Sequence, residues 1–592
     1  MSTTTRGMSV TEAYRLYRDG FLLVNRRYQR KLVWTVEEKQ KLIDSILKGY
    51  PIPLLLLAGR PEAEGTGRYE IIDGMQRFNA IFTFIENAYD IQGEFFDIAQ
   101  FARAKQAADQ GTFEAASSRD KKLSPKSCAD LLDYQLAVTI YPPRDPEDIT
   151  EVFGRINANG RQLSPQEKRQ AGVISPFSEM VRRVGAELRG DVSQDVLPLT
   201  QMPEISIEWK TNRQGYGVRA EETFWCKHGI LSTRQLRDSE DEQLIADISA
   251  SILLREPIAY SQELLDTFYD SNNSASKDLE AAIAAYGRDR LASEIKSVFS
   301  VIQTVVEQVD PTPSALRRVI TPNAPTGTKT PFYALFMTFF DLVARQEQSP
   351  ADVKAIINSI TDLGSKLKTS THYATTEDRK RNIAICRGLI QDHFVKKEPP
   401  VLGHGPGLAM DFENSVRRSR VETSRYEFKQ GLLRLSADRA LDAALLERIV
   451  DTICGIANLG PAGSGYVFIG VADKAQDAQK ISQLDKVHPV NIADRYIVGI
   501  DREATILRST IDDYVKRIAA AIKGSQLSDP LKSQCLASFD VVLYKGFSVV
   551  RITVPAQKSL SFVGDQAFTR QNSDTIEVKA GPHLIALSRL FS

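Results

Sequence analysis

One short stretch decides the fold of the N-terminal part: Tyr69-Glu70-Ile71-Ile72-Asp73-Gly74-Met75-Gln76-Arg77-Phe78. Its first four residues are typical of a β-strand, and Phe78, Ile81, Phe82 and Ile85 follow at the spacing of one helix face. Asp73 and Gly74 lie at the junction between the two elements. A strand-to-helix turn points unpaired backbone N–H groups outward, so the sequence predicts an anion site here.

Arg77 is the unusual residue of this turn. A cation in the first helical turn opposes the helix dipole, which favours acids there, and a bound phosphate would remove the conflict. Asp73 could orient Arg77 or hold a metal or a water, and Gln76 could fix a phosphate oxygen or a water. The simpler interpretation is a tight turn in which Asp73 caps the helix and Arg77 is solvated. The turn alone favours this simpler interpretation.

The flanking segments predict a small mixed α/β domain. Thr35-Val36-Glu37-Glu38 is a capping box that starts a helix, and Gly49 lies near its end. Ile52–Leu57 is a short apolar run typical of a strand, and Tyr134–Tyr141 alternates as a further strand. Ser164-Pro165-Gln166-Glu167 predicts another helix start, with a capping box and proline at the first helical position.

Two further polar blocks accompany this domain. Arg26-Arg27-Tyr28-Gln29-Arg30 places three guanidinium groups beside an aromatic ring and an amide, and Trp34 follows. Arginine binds phosphate in a planar, bidentate manner, and aromatic rings can stack on bases. The second block, Phe153-Gly154-Arg155-Ile156-Asn157-Ala158-Asn159-Gly160, predicts a helix end and an Asn-Gly turn. These blocks favour a phosphate-binding function.

Together these blocks resemble the N-terminal domain of GmrSD-type restriction enzymes, which has a ParB/sulfiredoxin-like fold. The resemblance includes Asp44-Ser45-Ile46-Leu47 with Pro51-Ile52-Pro53, and Arg155-Ile156-Asn157 with Leu163-Ser164. It implies defence against phage, sensing of modified or foreign DNA, and binding and hydrolysis of a nucleoside triphosphate. The nucleotide-site residues it implies are Asp73, Gly74, Gln76, Arg77, Arg155 and Asn157. Tyr28, Gln29 and Arg30 become candidates for the same pocket or for contact with nucleic acid.

Bulk composition limits the class of protein. The 592 residues exceed one hydrophobic core, and 75 basic residues balance 75 acidic ones, so nucleic-acid contact must come from a local patch. The start is polar, and no stretch approaches the roughly 20 apolar residues that span a bilayer. Cysteines are scattered and odd in number, which excludes a disulfide framework: Cys128, Cys226, Cys386, Cys454 and Cys535. We therefore expect a cytoplasmic protein without a membrane partner.

The chain divides into four predicted regions of a multi-domain α+β protein. Residues 1–170 form the mixed α/β domain, and 171–395 form a helical extension. A stretch rich in proline and glycine lies between Glu398 and Gly407, so 396–420 is interpreted as a linker. Residues 421–592 return to alternating strands and helices.

The C-terminal region carries a set of acidic residues around one lysine. Tyr426-Glu427-Phe428-Lys429 alternates like a strand, so Glu427 and Lys429 share a face; Glu422 precedes them and Asp473 follows a later strand. Carboxylates can hold Mg²⁺ or Mn²⁺, which lowers the pKa of an attacking water, and a lysine can stabilise developing negative charge. The alternative is an exposed ion pair on a sheet, worth under about 1 kcal/mol. For the Glu-x-Lys pattern alone, that alternative is favoured.

The ordered set resembles the Schlafen AlbA-type domain. Its motifs are the Glu-Phe-Lys strand, a helix ending at Ala457-Asn458, the Ile469-Gly470-Val471-Ala472-Asp473 strand and Phe568-Thr569-Arg570 with Ser573 and Thr575. The glycine-rich turn departs from the usual Gly-Gly and reads Gly463-Ser464-Gly465. The resemblance implies an α/β domain in which Glu422, Glu427 and Asp473 hold the metal for nucleic-acid cutting and Lys429 assists. Arg570 is expected to contact nucleic acid.

Three hypotheses about function remain open at this point. In the first, an N-terminal nucleotidase that senses DNA controls a C-terminal metal-dependent nuclease. In the second, the C-terminal domain only binds nucleic acid, and nucleotide hydrolysis is the sole activity. A structural adaptor, the third, predicts no dependence on nucleotide. The GmrSD resemblance implies a C-terminal HNH nuclease in many relatives, but the six histidines here form no HNH-like cluster. Any cutting activity must therefore come from elsewhere, which favours the first hypothesis slightly. The sequence leaves open the nucleotide, the choice of DNA or RNA, any sensed modification, and homo-oligomerisation.

Overall fold

The computed structural model places the chain in two compact units, Met1–Pro399 and Pro400–Ser592. The residues that it describes are 3–26, 31–60, 68–142, 149, 152, 164–170, 173–191, 196–202, 204–206, 217–323, 328–368, 374–396, 408–419, 423–461, 464–571, 573–579 and 581–591. Both units combine helices with small sheets, so the predicted multi-domain α+β class is confirmed.

A six-stranded mixed sheet organises the N-terminal part of the first unit. Its strands, in spatial order, are Thr4–Ser9, Gln135–Tyr141, Leu55–Arg60, Arg68–Asp73, Leu22–Asn25 and Val196–Pro198. The helices of this part are Val10–Arg18, Val36–Leu47, Met75–Ile85, Ala102–Asp109 and Pro125–Asp133. Leu55, Leu57 and Ile71 face the large core with these helices, whereas Leu56 and Ile72 belong to a smaller cluster. This alternation is the expected period of two along a strand.

Local signals read from the sequence account for several element boundaries. The Thr35 side chain accepts from the Glu38 N–H while the Glu38 carboxylate accepts from the Thr35 N–H, so the predicted capping box is confirmed. The same reciprocal bonds join Ser164 and Glu167 at the helix Pro165–Gln170. The last strand of the sheet, Val196–Pro198, lies beyond residue 170, so the sheet crosses the predicted domain boundary.

The remainder of the first unit is predominantly helical. Its longer helices are Pro176–Arg189, Glu240–Leu253, Gln262–Tyr269, Ser274–Tyr286, Arg288–Val309, Lys329–Phe339 and Thr376–Ile390. Shorter helices are Phe224–Lys227, Thr233–Arg237, Ala315–Ile320, Val353–Ser359 and Leu363–Lys366, and a π-helical turn spans Phe340–Arg345. Short strand pairs are Glu94–Phe95 with Lys121–Lys122, Glu204–Ser206 with Gly217–Arg219, and Gln348–Pro350 with Phe394–Lys396. Buried rings of Trp225, Phe299, Phe332 and Phe336 form its aromatic core.

The second unit is built on a four-stranded sheet covered on both faces. Its strands, in spatial order, are Tyr426–Lys429, Gly465–Ile469, Phe547–Val554 and Phe539–Tyr544. On one face, Val467 and Ile469 pack with the helices Ala443–Ala457 and Ile511–Gly524. On the opposite face, Phe428 and Phe468 belong to a second hydrophobic cluster. A three-stranded sheet comprises Val471–Ala472, Arg495–Ile497 and Val490–Ile492, and a hairpin comprises Ala567–Gln571 and Asp574–Val578. The other helices are Ala475–Asp485, Asp501–Ile506, Leu531–Leu536 and Pro582–Ser588.

The predicted linker at 396–420 requires correction. Leu408–Arg418 forms a helix whose buried side chains Leu408, Phe412 and Val416 pack on the Phe428 face of the sheet. Because apolar residues recur at positions 408, 412 and 416, one helix face is hydrophobic and is buried against the sheet. The C-terminal unit therefore begins before residue 421.

The described residues include neither a membrane-spanning helix nor a disulfide bond. Among them, no helix has both the length and the apolar character needed to cross a bilayer. All five cysteines lie within the described ranges and carry free thiols.

Candidate functional site

Gln76 fastens the Asp73–Arg77 turn to the segment that contains Trp34. Its amide nitrogen donates to the Lys31 carbonyl at 2.7 Å, and its amide oxygen accepts from the N–H groups of Val33 at 3.1 Å and Trp34 at 3.3 Å. The Gln76 side chain therefore forms hydrogen bonds with three backbone groups of this segment, as a neighbouring strand would. The predicted role of Gln76 at a phosphate or water is untested, and the structure gives it a positioning role.

Arg77 fastens the same turn to the loop before the strand Leu55–Arg60. Its guanidinium donates to the carbonyl oxygens of Pro53 at 2.7 Å and Leu54 at 3.1 Å, and to the Asp73 carboxylate at 2.6 Å. The residue is only 8% exposed, so the interpretation of Arg77 as a solvated side chain is wrong. Asp73 also supplies the negative charge that offsets the conflict with the helix dipole, so a phosphate is not required for that purpose.

Asp73 and Gly74 complete the turn. Gly74 is the N-cap of the helix Met75–Ile85 and has φ of 103°. A Cβ atom at Gly74 would lie 2.1 Å from the Leu55 side chain, so both conformation and space require glycine. Since the N-cap is Gly74, the expected capping by Asp73 is wrong. The Asp73 side chain is 39% exposed and binds Arg77 through Oδ2, which leaves Oδ1 at the surface of the turn.

Several predicted site residues lie outside the described residues. They are Tyr28, Gln29, Arg30, Arg155, Asn157 and Glu422. Their assignments to nucleotide, nucleic acid or metal remain predictions from the sequence.

Glu427 lies in a compact ionic cluster at the edge of the C-terminal sheet. Its Oε1 is 2.5 Å from the Lys429 ammonium, and its Oε2 is 2.8 Å from the Arg570 guanidinium. The predicted shared face of Glu427 and Lys429 is therefore confirmed. Arg570 also donates to the carbonyl of Tyr426 and to the hydroxyl of Thr575. Its side chain is only 1% exposed, so contact between Arg570 and nucleic acid would require this cluster to open.

Asp473 occupies a different environment from Glu427. Its carboxylate is 2.8 Å from the Arg495 guanidinium, which lies over the Phe428 ring at 5.1 Å from the ring centroid. Phe428 and Glu427 are neighbours in one strand, so their side chains point to opposite faces of the sheet. Asp473 and Glu427 are thus held by different arginines on different sides of this strand.

Glu427 and Asp473 were predicted to hold a Mg²⁺ or Mn²⁺ ion. Within the described ranges, no group of three His, Cys, Asp or Glu side chains could hold a metal ion. Both Glu427 oxygens face cations, and one Asp473 oxygen faces Arg495. These residues therefore do not fit Mg²⁺ or Mn²⁺ in this arrangement, and the third predicted ligand, Glu422, lies outside the described residues.

Comparison with known families provides independent information on the first unit. Residues 10–174 match the family model described as GmrSD restriction endonuclease, N-terminal domain. The GmrSD resemblance of this segment is thereby confirmed. No curated protein and no solved structure matches the chain.

The GmrSD match covers one part of the predicted machinery. It includes the Asp73–Arg77 turn and the positions of Tyr28, Gln29, Arg30, Arg155 and Asn157. It ends well before Glu427, Lys429, Asp473 and Arg570, so the Schlafen AlbA resemblance stays a prediction.

Sequence reasoning missed a buried ionic network beside the GmrSD-type turn. Lys31, 3% exposed in its side chain, lies 3.8 Å from both Asp241 and Glu242, which also bind Arg189. Burial and then Arg189 lower the pKa of Lys31, although the two carboxylates oppose this effect. The available signal was a lysine directly after the arginine-rich block, together with acids opening the helix Glu240–Leu253. Charged side chains in both of these patterns are usually exposed to solvent, so neither pattern indicates a buried ion pair.

Proposed function

We propose that this chain is a restriction-type antiphage defence protein that acts on nucleic acid. Its N-terminal domain binds, and hydrolyses, a nucleoside triphosphate at the Asp73–Arg77 turn while sampling DNA. The observation that carries the proposal is the GmrSD match over residues 10–174, which contains the Asp73–Arg77 turn with its hydrogen bonds through Gln76 and Arg77. The C-terminal unit then cuts the nucleic acid.

The geometry of the turn supports the nucleotide part. Gln76 and Arg77 hold two neighbouring segments against the turn, so its backbone is preorganised. The Met75 helix end offers unpaired N–H groups, which favour an anion. Asp73 keeps one carboxylate oxygen available for a water or a water bound to a metal. We assign a positioning role to Gln76 and Arg77, and water or metal binding to Asp73.

The nuclease part depends on Glu422, Glu427 and Asp473, with Lys429 stabilising negative charge on the phosphodiester. Lys429 is 25% exposed, so its ammonium can reach a phosphate at the sheet edge. Metal binding would require Arg570 and Arg495 to release their carboxylates. We therefore assign no reaction step to the metal.

A specific observation favours a second candidate function. With Glu427 neutralised by two cations, the cluster of Glu427, Lys429 and Arg570 carries a net positive charge, which suits phosphate binding without cutting. In this alternative the C-terminal unit only binds nucleic acid, and the nucleotidase is the sole activity.

One set of incubations separates these functions. Purified protein is mixed with DNA or RNA, with and without Mg²⁺ or Mn²⁺ and each nucleoside triphosphate. We expect cutting that Glu427→Gln abolishes and the exposed control Glu447→Gln preserves. Cutting that persists in Glu427→Gln would exclude the C-terminal nuclease, and retained binding without cutting would support the second candidate. We expect Arg77→Lys to lower triphosphate turnover and the exposed Arg103→Lys to preserve it; an unaffected Arg77→Lys would exclude the proposed nucleotide site.

A further inference from the structure

Two buried cations connect the N-terminal sheet with the helical part of the same unit. Arg26 directly follows the strand Leu22–Asn25, and its guanidinium lies 2.5 Å from the Asp191 carboxylate just after the helix Pro176–Arg189. Arg26 is 7% exposed and Asp191 only 1%. This first connection leaves little room for water between strand and helix.

Lys31 forms the second connection. Its ammonium donates to the Ser239 hydroxyl at 3.0 Å and to the Leu236 carbonyl at 3.2 Å, and it faces Asp241 and Glu242. Ser239 is the N-cap of the helix Glu240–Leu253 and adopts φ of 60°. The Lys31 side chain therefore inserts at the point where this helix begins.

Both connections converge on the same helix pair. Arg189 binds Asp241 and Glu242, and the helix Pro176–Arg189 packs on Glu240–Leu253 closely enough that a Cβ atom on Gly185 would lie 2.7 Å from Glu242. Arg26 pairs with Asp191, while Lys31 and Arg189 share Asp241 and Glu242, so these buried ion pairs lie where one helix ends and the other begins. A buried ion that loses its partner is strongly destabilised, so these groups resist independent movement.

Gln76 extends the network to the proposed nucleotide turn. The Lys31 carbonyl accepts from the Gln76 amide while the Lys31 ammonium is held at the Glu240–Leu253 helix. The same residue therefore contacts the turn through its backbone and the helical part through its side chain. A change in the position of the turn must either move Lys31 or break one of these two contacts.

We propose that Lys31 is a positioning residue that couples the Asp73–Arg77 turn to the helix Glu240–Leu253, so that ligand binding at the turn and the state of the helical part control each other. The coupling acts through Gln76 on one side and through Ser239, Asp241 and Glu242 on the other. Only the identity of the ligand rests on the proposed function. The mechanical connection holds whether or not the ligand is a nucleotide.

A ligand-free experiment tests the connection directly. Hydrogen exchange of the 31–40 segment reports the Val33 and Trp34 amides that donate to Gln76. We expect Glu242→Gln and Lys31→Met to raise this exchange rate at least tenfold and Lys31→Arg to restore protection in part. The matched control is Glu307→Gln, because the Glu307–Lys227 pair is also largely shielded from water but connects two helices outside Glu240–Leu253.

The control also separates coupling from general destabilisation. Exchange in 31–40 that rises equally in Glu307→Gln and Glu242→Gln, at equal loss of Tm, would overturn the proposal. A second measurement adds each of the four nucleoside triphosphates to the full chain. We expect the triphosphate that binds to change exchange across 240–253 in the wild type but not in Lys31→Met. Binding without any change at 240–253 in the wild type would overturn the coupling, whereas an absence of binding would contradict the proposed function alone.

Discussion

The side-chain amide of Gln76 donates a hydrogen bond of 2.7 Å to the backbone carbonyl of Lys31. This bond connects a turn predicted to bind phosphate with a residue whose ammonium is buried at the start of a helix some 200 positions later in the chain. The turn is thus a structural junction, and any ligand that it binds acts on a preorganised site. The following expectations test the junction and the C-terminal cluster.

Replacing Gln76 with Leu should destabilise the first unit by about 1–3 kcal/mol, because the N–H groups of Val33 and Trp34 lose their acceptor. Denaturant unfolding measures the change. Gln40→Leu is a suitable control, since Gln40 donates a single hydrogen bond, to the Asp90 carbonyl. Equal losses in the two variants would contradict a special role for the Gln76 amide.

Gly74→Ala should destabilise the protein more than Gly111→Ala does. Both glycines have positive φ, 103° and 73°, but only at Gly74 would the new methyl group meet Leu55, at 2.1 Å. We expect a difference of about 1–3 kcal/mol, the usual cost of overpacking. Thermal unfolding of the two variants measures it, and identical Tm values would show that Leu55 relaxes without cost.

Arg77→Lys should lower stability by about 1–3 kcal/mol, because an ammonium cannot match the planar donation to Pro53, Leu54 and Asp73. Arg103→Lys, at a side chain 49% exposed, should change stability by less than about 0.5 kcal/mol. Chemical denaturation provides both values. If Arg77→Lys is as stable as the wild type, the guanidinium is not needed to hold this turn.

Glu427 and Arg570 should show a coupling free energy of about 1.5–3 kcal/mol in a double-mutant cycle, because their charge-assisted bond of 2.8 Å is largely shielded from water. The cycle uses Glu427→Gln, Arg570→Met and the double variant, with unfolding of the full chain as the measurement. An exposed pair, Lys516 with Asp512, should give a clearly smaller coupling because solvent screens it. Equal coupling in both pairs would contradict a shielded cluster.

Glu413 should make the helix Leu408–Arg418 sensitive to acid. Burial raises the pKa of Glu413, but Arg417 and the Tyr544 hydroxyl outweigh this effect, so the net pKa lies below its ordinary value of 4.5. A carboxyl group with a lowered pKa contributes stability above its unfolded pKa and loses it as the pH falls through the folded value. We expect the protection of this helix from hydrogen exchange, measured relative to the intrinsic amide exchange rate at each pH, to fall below about pH 4.5 in the wild type. Glu413→Gln should remove most of that pH dependence, and an unchanged profile would assign it to other groups.

Local patterns predicted much of the first unit. The strand and helix around Asp73 and the capping box at Thr35 follow from periodicity and capping chemistry that neighbouring residues encode. The C-terminal strand Tyr426–Lys429 and the shared face of Glu427 and Lys429 follow in the same way. The linker prediction was wrong at 408–418, where the chain forms a short amphipathic helix. The prolines and glycines that precede this helix suggested an irregular segment.

By itself, the sequence determined several strands and helices, such as those around Asp73 and Glu427, and which polar residues could serve phosphate chemistry. Those properties depend on residues close together in the chain. Only the tertiary structure decided what these polar groups contact. Arg77 binds the carbonyls of Pro53 and Leu54, and Arg570 binds Glu427. Lys31 lies against acids more than 200 positions away, a partnership that burial selects and that no local pattern encodes.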